Sequence, residues 1–313
     1  MEPRRGEVTV IAKLPDDLHA ALAQHFVLSE HVLEGLDAVP IEAVPSTTRV
    51  VATRALLGVP PGLLDVLPNL ELVLSMGAGL DKIDVAGLDR RGIALAHTPD
   101  QFTEDVADFA LGLMFAAQRD IVSADRFVRS GLWEKGRFRT ARRVTNRRVG
   151  IVGLGRIGLR VAEKCAALGM PVGYTSRRER TDQPFAFHTD IVDLAADSDI
   201  LVLACGESEE TRHLVNRRVL DALGRDGILV NIARGAVVDE EALLDALERK
   251  ALAAAALDVF PREPSVNPRF HPLDNVILTP HSASFTQEAR QAVIDHLVDA
   301  ANTYFEREGL PAG

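Results

Sequence analysis

Three polar residues stand where apolar, strand-like runs end late in the chain: Arg234 in Val230-Asn-Ile-Ala-Arg-Gly235, Glu263 in Asp258-Val-Phe-Pro-Arg-Glu-Pro264, and His281 in Thr279-Pro-His-Ser282. Taken singly each has an ordinary explanation, such as a solvent-facing glutamate before proline or a hydrogen-bonded loop histidine. Together they suit one task. Arginine presents a planar fork that holds a carboxylate and polarises a carbonyl beside it. Histidine titrates near neutrality and passes a proton either way, and an adjacent glutamate orients the ring and favours its charged form. This is the equipment for reducing a 2-oxo acid, where a proton reaches oxygen as a hydride from a nicotinamide reaches carbon.

A hydride donor needs a cradle, and one lies mid-chain. Val149-Gly-Ile-Val-Gly-Leu-Gly-Arg-Ile-Gly158 is an apolar run that breaks into Gly153-x-Gly155-x-x-Gly158 and then into a helix-forming stretch. Gly153 allows a tight turn, Gly155 lets the backbone approach a pyrophosphate, and Gly158 lets the helix pack on the strand; Arg156 and Ile157 open that helix, whose N-terminus offers free N–H groups. The flanks agree, with a strand over 147–152 and helical apolar spacing at Ile157, Val161, Cys165 and Leu168. The next strand, 171–175, ends at Ser176-Arg177-Arg178, near the offset where an acid would bind the ribose 2′-OH of NAD. No acid is there, and a hydroxyl with two guanidinium groups suits a 2′-phosphate instead. The expectation is NADP(H) in preference to NAD(H). Two further strand ends, Ala204-Cys205-Gly206 and Ile232-Ala233-Arg234, are expected to line the same crevice.

The elements that must position these residues alternate between strand and helix, the mark of an α/β chain with parallel sheets. At 313 residues about two domains are expected, at about 100–200 residues each. Because the glycine turn falls mid-chain, the first hundred or so residues must form something else. They read as strands over 8–12, 49–53, 72–76 and 93–96 with helices over 15–23, 62–67 and 85–91. The 72–76 strand runs into Gly77-Ala78-Gly79, a loop at a strand's C-terminal end whose backbone N–H groups suit a carboxylate. His97-Thr-Pro-Asp100 marks the crossing to the second domain. A single long helix is then expected from Glu104 to Arg129, with Val106, Phe109, Ala110, Leu113, Met114 and Ala117 on one stripe; its length and apolarity predict contact with a second copy of the chain. Later strands are expected at 200–204, 227–232, 254–258 and 276–278, with a helix over 239–249 among those between them. A last amphipathic helix over 286–308 returns to the first domain.

Composition narrows the partners. Apolar residues make up 47% and charged residues 26%, an ordinary globular balance, and the net charge is −10, which disfavours nucleic acid. Two cysteines, Cys165 and Cys205, supply neither a disulfide framework nor a metal cage and fit a reducing cytosol. The brief apolar run after Met1-Glu-Pro-Arg-Arg-Gly6 is too short for a leader or a bilayer span, so a cytoplasmic protein without a membrane partner is expected.

The Gly77-Ala78-Gly79 loop, His97-Thr-Pro99, Gly153-Leu-Gly-Arg-Ile-Gly158, Asn231-Ile-Ala-Arg-Gly-Ala-Val-Val-Asp239, Leu257-Asp-Val-Phe260 and Pro280-His281 together resemble the D-isomer-specific 2-hydroxyacid dehydrogenases over nearly the whole chain. The resemblance implies two Rossmann-like or flavodoxin-like domains with parallel sheets. A dinucleotide-binding domain over 99–284 would be inserted into a split substrate domain, 1–98 plus 285–313. It implies Arg234, Glu263 and His281 as the catalytic set, with Asp258 on the nicotinamide side and His281 and Ala283 among the cofactor positions. The substrate would meet Gly77, Ala78, Gly79, Arg234 and His281. Tyr174-Thr-Ser-Arg-Arg178 is similar to the NADPH-preferring glyoxylate/hydroxypyruvate and hydroxyphenylpyruvate reductase branch, and a homodimer is the usual assembly. Met76 before the glycine loop and Gly206, where many relatives carry proline, depart from the pattern. Alternatives are a reductase of a bulkier 2-oxo acid, such as an aromatic pyruvate or a keto-sugar acid, and a dinucleotide-sensing, co-repressor-like protein.

Overall fold

The computed structural model describes residues 6–35 and 38–309; the first five residues of the stretch inspected for a leader lie outside them. The chain divides into two compact units, Met1–Phe102 with Thr286–Gly313, and Thr103–Phe285.

The first unit is a parallel five-stranded sheet built from β1 (Glu7–Val10), β2 (Val27–Glu30), β3 (Val50–Arg54), β4 (Leu72–Met76) and β5 (Ala94–His97), in the order β2-β1-β3-β4-β5. Strict alternation sends Val50, Ala52, Leu72 and Leu74 into one core and Val51 and Val73 into the other, so the central strands are buried on both faces and read as continuous apolar runs. The first core is covered by α1 (Asp16–His25) and the C-terminal helix α10 (Gln287–Arg307), and the second by α2 (Leu63–Val66) and α3 (Val85–Arg91). Thr286 caps α10 by accepting from the Ala289 N–H at 3.0 Å, and Arg290 forks onto both oxygens of Asp17 in α1. The unpredicted edge strand β2 carries no fully buried residue, which is why it lacks an apolar signature.

The second unit opens with α4 (Thr103–Gln118) and α5 (Ile121–Arg129). The single helix expected over 104–129 is therefore two. Asp120, at φ 54°, takes a left-handed conformation that no helix continues through. The apolar stripe is also spent differently than expected: Val106, Ala107, Ala110, Leu113, Met114 and Ala117 are buried within their own unit, where α4 packs on α6 (Arg156–Ala167) and on strands of the sheet. Glu104 pairs with Arg160 and Lys164 of α6, and Asp108 with Lys164. By contrast α5 buries nothing and leaves Ile121 and Val128 each 52% exposed, followed by Leu132 and Trp133 at 45% and 66%.

The seven-stranded parallel sheet of this unit contains β6 (Val149–Val152), β7 (Val172–Thr175), β8 (Ala186–Phe187), β9 (Ile200–Leu203), β10 (Ile228–Asn231), β11 (Ala254–Leu257) and β12 (Val276–Leu278), ordered β12-β11-β10-β9-β6-β7-β8. Its other helices are α7 (Ile191–Ala196), α8 (Arg217–Leu223) and α9 (Glu240–Glu248). The chain leaves β6 toward β7 and β8, then returns to place β9 on the other side of β6. This reversal is a topological switch point, where loops after the strands diverge and leave a crevice for a ligand. Among the described residues no helix is long and apolar enough to cross a membrane.

Candidate active site

At the switch point the three glycines are required for three different reasons. Gly153 has φ 95°, and a Cβ there would come within 2.9 Å of the Cys205 backbone beyond β9. A Cβ on Gly158 would lie 1.9 Å from the Gly153 carbonyl oxygen, so α6 can approach β6 only through glycine. Gly155 is the opposite case: its φ of −75° is ordinary and a Cβ would meet nothing within 4 Å. No protein neighbour demands glycine there; the demand fits a ligand that takes the space. Gly155 is also the N-cap of α6 and offers no side-chain cap, leaving the first N–H groups of the helix open to an anion. These features fit a dinucleotide pyrophosphate. Arg156 is exposed at the helix start and Ile157 is half-buried behind it.

Around this turn the loop ends are tied together. The Gly153 N–H donates to the Thr175 carbonyl at the end of β7 at 2.8 Å. Ser176 follows, with Arg177 and Arg178 exposed beside it. Cys205 is half-buried against Gly153, and burial pushes its thiol up to about 11; the buried Cys165 thiol rises to about 12 for the same reason. Both are packing thiols, protonated at neutral pH. Ile232 and Ala233 are 8% and 5% exposed.

The titratable set is assembled at the C-terminal ends of β10, β11 and β12. Asn231, 1% exposed, closes the turn after β10 by donating to the Arg234 carbonyl and accepting from the Ala233 N–H, each at 3.0 Å. Arg234 leaves that turn half-buried, with one Nη donating to the Ala233 carbonyl at 2.8 Å. Gly235 lies flat against Phe260-Pro261, where a Cβ would sit 2.0 Å from backbone, and this draws the Arg234 turn onto the segment that carries Glu263. Glu263 accepts from the Phe260 N–H through Oε1 at 2.9 Å and meets His281 Nδ1 through Oε2 at 2.7 Å. Burial raises the Glu263 carboxyl, but the bonds from His281 and Phe260, with Arg234 nearby, outweigh it and hold the group below the usual carboxylate range. An ionised Glu263 fixes Nδ1 as the donor, so Nε2 is the ring atom left for proton transfer.

Asp258, expected on the nicotinamide side, anchors the loop that carries His281. It is 1% exposed and spends both carboxylate oxygens on the loop that carries His281. Oδ1 accepts from Thr279 Oγ1 at 2.6 Å and the Ser282 N–H at 2.9 Å, and Oδ2 from the Ala283 N–H at 3.0 Å. The Asp258 carbonyl also receives the His281 N–H at 2.8 Å. Held this way, His281 adopts φ 52°, a left-handed conformation that non-glycine residues keep only when their surroundings impose it. Ala283 is buried beneath it. Sequence reasoning missed the roles of Asn231 and Asp258; the available signal was a carboxylate or carboxamide closing an otherwise apolar strand.

In the first unit, Gly77 takes φ 129°, and a Cβ there would lie 2.6 Å from that of Ala55. Its N–H is committed to Thr98 Oγ1 at 2.8 Å, and its carbonyl receives the Thr98 N–H at 3.2 Å. Gly77 therefore shapes the loop that runs on into Ala78 and Gly79. A cavity of about 310 Å³ in the second unit lies elsewhere, at the N-terminal ends of β10 and β11, lined by Asp120, Arg139, Arg142, Arg225 and Lys250. Arg139 is engaged by Asp120 and Asp274 and Arg142 by Asp226, and the cavity is remote from the strand ends that carry Arg234 and His281.

The family model described as D-isomer specific 2-hydroxyacid dehydrogenase, NAD binding domain, matches residues 111–283. The chain is 41% identical over 303 residues to glyoxylate/hydroxypyruvate reductase A of Arabidopsis thaliana, covering 97% of each protein. It is 43% identical over 262 residues to the hydroxyphenylpyruvate reductase of Plectranthus scutellarioides, 84% of each. Among solved structures, the NADPH-dependent glyoxylate/hydroxypyruvate reductase of Sinorhizobium meliloti, in complex with NADP and malonate, superposes with a TM-score of 0.88 at 34% identity, over 96% of this chain and 94% of that one.

Proposed function

The chain belongs to the D-isomer-specific 2-hydroxyacid dehydrogenase family, an oxidoreductase family with a nicotinamide-dinucleotide domain, and from that premise we propose that it reduces a small 2-oxo acid with NADPH. Glyoxylate or hydroxypyruvate is the substrate, and the product is the D-2-hydroxy acid where it is chiral. The observation that carries this reading is the Glu263–His281 pair at 2.7 Å, set beside Arg234 at adjacent strand ends. Arg234 takes the substrate carboxylate and polarises the 2-oxo group. His281 gives its Nε2 proton to the carbonyl oxygen, and Glu263 stabilises the charged ring before transfer. The nicotinamide supplies the hydride that reaches C2, so one hydride and one proton convert the ketone to the alcohol. Asp258 and Asn231 hold the two loops in place.

The NADPH preference is supported by Ser176, Arg177 and Arg178 at the end of β7, where a carboxylate would repel a 2′-phosphate. The dinucleotide itself is held by Gly153, Gly155 and Gly158, the open end of α6 at Arg156 and Ile157, and the walls at Cys205, Ile232, Ala233 and Ala283. A homodimer forms through α5 and Trp133, whose apolar residues are exposed, and the two free cysteines suit the cytoplasm. The test is the loss of reduced-nicotinamide absorbance across a panel of 2-oxo acids with NADPH and NADH. Turnover of hydroxypyruvate with a clear preference for NADPH is expected; no turnover of any 2-oxo acid defeats the reading. The panel also includes phenylpyruvate and 2-ketogluconate, because a hydroxyphenylpyruvate reductase and a 2-ketogluconate reductase match this chain at 43% and 42% identity.

A further inference from the structure

Tyr174 lies on β7, the strand next to the β8 edge, 0% exposed and paired in register with Ile151 of β6 on one side and Phe187 of β8 on the other. Its ring packs on that of Phe187 with centroids 5.3 Å apart. Packing alone asks for phenylalanine. The hydroxyl instead reaches past the end of β7 and accepts the backbone N–H of Arg180 at 2.7 Å.

The segment between those two residues is Thr175-Ser-Arg-Arg-Glu179, the one read as the 2′-phosphate site. It is closed twice: Ser176 Oγ donates to the Arg178 carbonyl at 2.5 Å, and Tyr174 Oη fixes the far end at Arg180. Arg180 is not itself an idle cation. Its guanidinium forks onto Asp182 at 2.9 and 2.8 Å and reaches the Leu154 carbonyl in the glycine turn at 3.4 Å. Arg177 and Arg178 stand exposed on the closed loop and form no ion pair among the described residues. The loop is thus tied to the glycine turn at both ends, by the Thr175 carbonyl to the Gly153 N–H and by the Arg180 side chain to the Leu154 carbonyl.

We propose that the Tyr174 hydroxyl is a positioning group for cofactor discrimination: by holding Arg180 it preorganises Arg177 and Arg178 over the 2′-phosphate. This inference rests on the NADPH reading of that loop. Ordering a mobile loop on binding subtracts from affinity, and a loop already closed in the free protein avoids that loss. A ligand without the 2′-phosphate makes no use of the loop and gains nothing from its order. Removing the hydroxyl leaves the Arg180 amide at a part-exposed position where water can take it, so the sheet survives while the loop loosens.

The test is calorimetric binding of 2′,5′-ADP and 5′-AMP to the full-length wild type and to Tyr174→Phe. Loss of one net hydrogen bond predicts 2′,5′-ADP binding weakened about three- to tenfold in the variant, with 5′-AMP changed by less than about twofold. Retention of the full preference in Tyr174→Phe, or equal weakening of both ligands, overturns the inference. A wild type with no preference for 2′,5′-ADP overturns the NADPH reading itself, a separately visible failure. Amide hydrogen exchange on the wild type tests the same bond should the variant not fold. Protection of the Arg180 amide in the free protein is expected, and exchange at the free-peptide rate refutes it.

Discussion

Replacing Glu263 by glutamine asks how much of the proton transfer depends on one carboxylate. The amide keeps the Phe260 N–H acceptor but must turn its NH2 toward His281 Nδ1, the atom now 2.7 Å from Oε2. Nδ1 is then forced to accept, leaving a neutral ring with its proton on Nε2, a poor acid and no base. A charge-assisted bond of this kind contributes about 1.5–3 kcal/mol. Because the side chains are 31% and 22% exposed, water screens part of it and the lower half of that range applies. The expected fall in kcat/KM for 2-oxo acid reduction at neutral pH is therefore about 13- to 45-fold. The same pair gives a pH signature in thermal melts. Glu263 has a folded-state pKa below the ordinary glutamate value, so its contribution to stability is fully present above about pH 4.3 and is lost as pH falls through the folded value. The Tm difference between wild type and Glu263→Gln should thus narrow in acid. Reduction within about threefold of wild type, with a pH-independent Tm difference, would refute the assignment of the carboxylate as the group that orients His281.

The glycine turn offers a contrast between two alanines: Gly155→Ala, with free space and an ordinary φ, should leave Tm unchanged or slightly raised yet weaken dinucleotide binding about tenfold or more, whereas Gly158→Ala, 1.9 Å from a carbonyl oxygen, should lower Tm outright. Calorimetric binding and a melt on each variant separate the two, and equal stability losses would refute the argument that Gly155 serves only the ligand. Asp258→Asn replaces an acceptor by a donor against the Thr279, Ser282 and Ala283 donors, so a stability loss of about 1–3 kcal/mol is expected by denaturant titration. Its kcat should fall further than that of a variant equally destabilised elsewhere, because His281 would relax from φ 52°; equal kcat values would refute the positioning role. For assembly, the wild type should elute as a dimer in size-exclusion chromatography and Trp133→Glu, at a side chain now 66% exposed, as a monomer; a monomeric wild type would refute the α5 surface.

What the sequence made legible follows from how local each signal is. The turn at Gly153, Gly155 and Gly158 is readable because strand, turn and helix start are contiguous, and its two packing constraints, at Gly153 and Gly158, arise within β6 and the turn or from one neighbour, Cys205. The central strands are readable because both faces are buried, whereas β2 and β8 escape notice because each lies at a sheet edge and keeps an exposed or half-buried pattern. The helix over 104–129 fails at one residue: apolar spacing carries no sign of a left-handed break at Asp120, since aspartate is a common residue within helical patterns as well as at their ends. Assigning its stripe to a second copy fails for a related reason. Periodicity shows that a face is buried but not against what, and here α6 and the sheet claim it.

The candidate site divides along the same line. Arg234, Glu263 and His281 stand out by residue type, each at the end of a strand, and the 18-residue separation of Glu263 and His281 is closed by the parallel neighbours β11 and β12. The residues that hold them are unreadable as such because their work is done through backbone groups of other segments. Asp258 looks like one more acid at a strand end, and its anchoring role shows only when its oxygens are counted against Thr279, Ser282 and Ala283, more than twenty residues away. Three donors from the histidine loop on one buried carboxylate make Asp258 a support of that loop. The same reasoning separates Gly77, whose N–H is already bonded to Thr98, from Ala78 and Gly79. In both places a side chain or amide that is satisfied within the protein sets the shape of the loop around it.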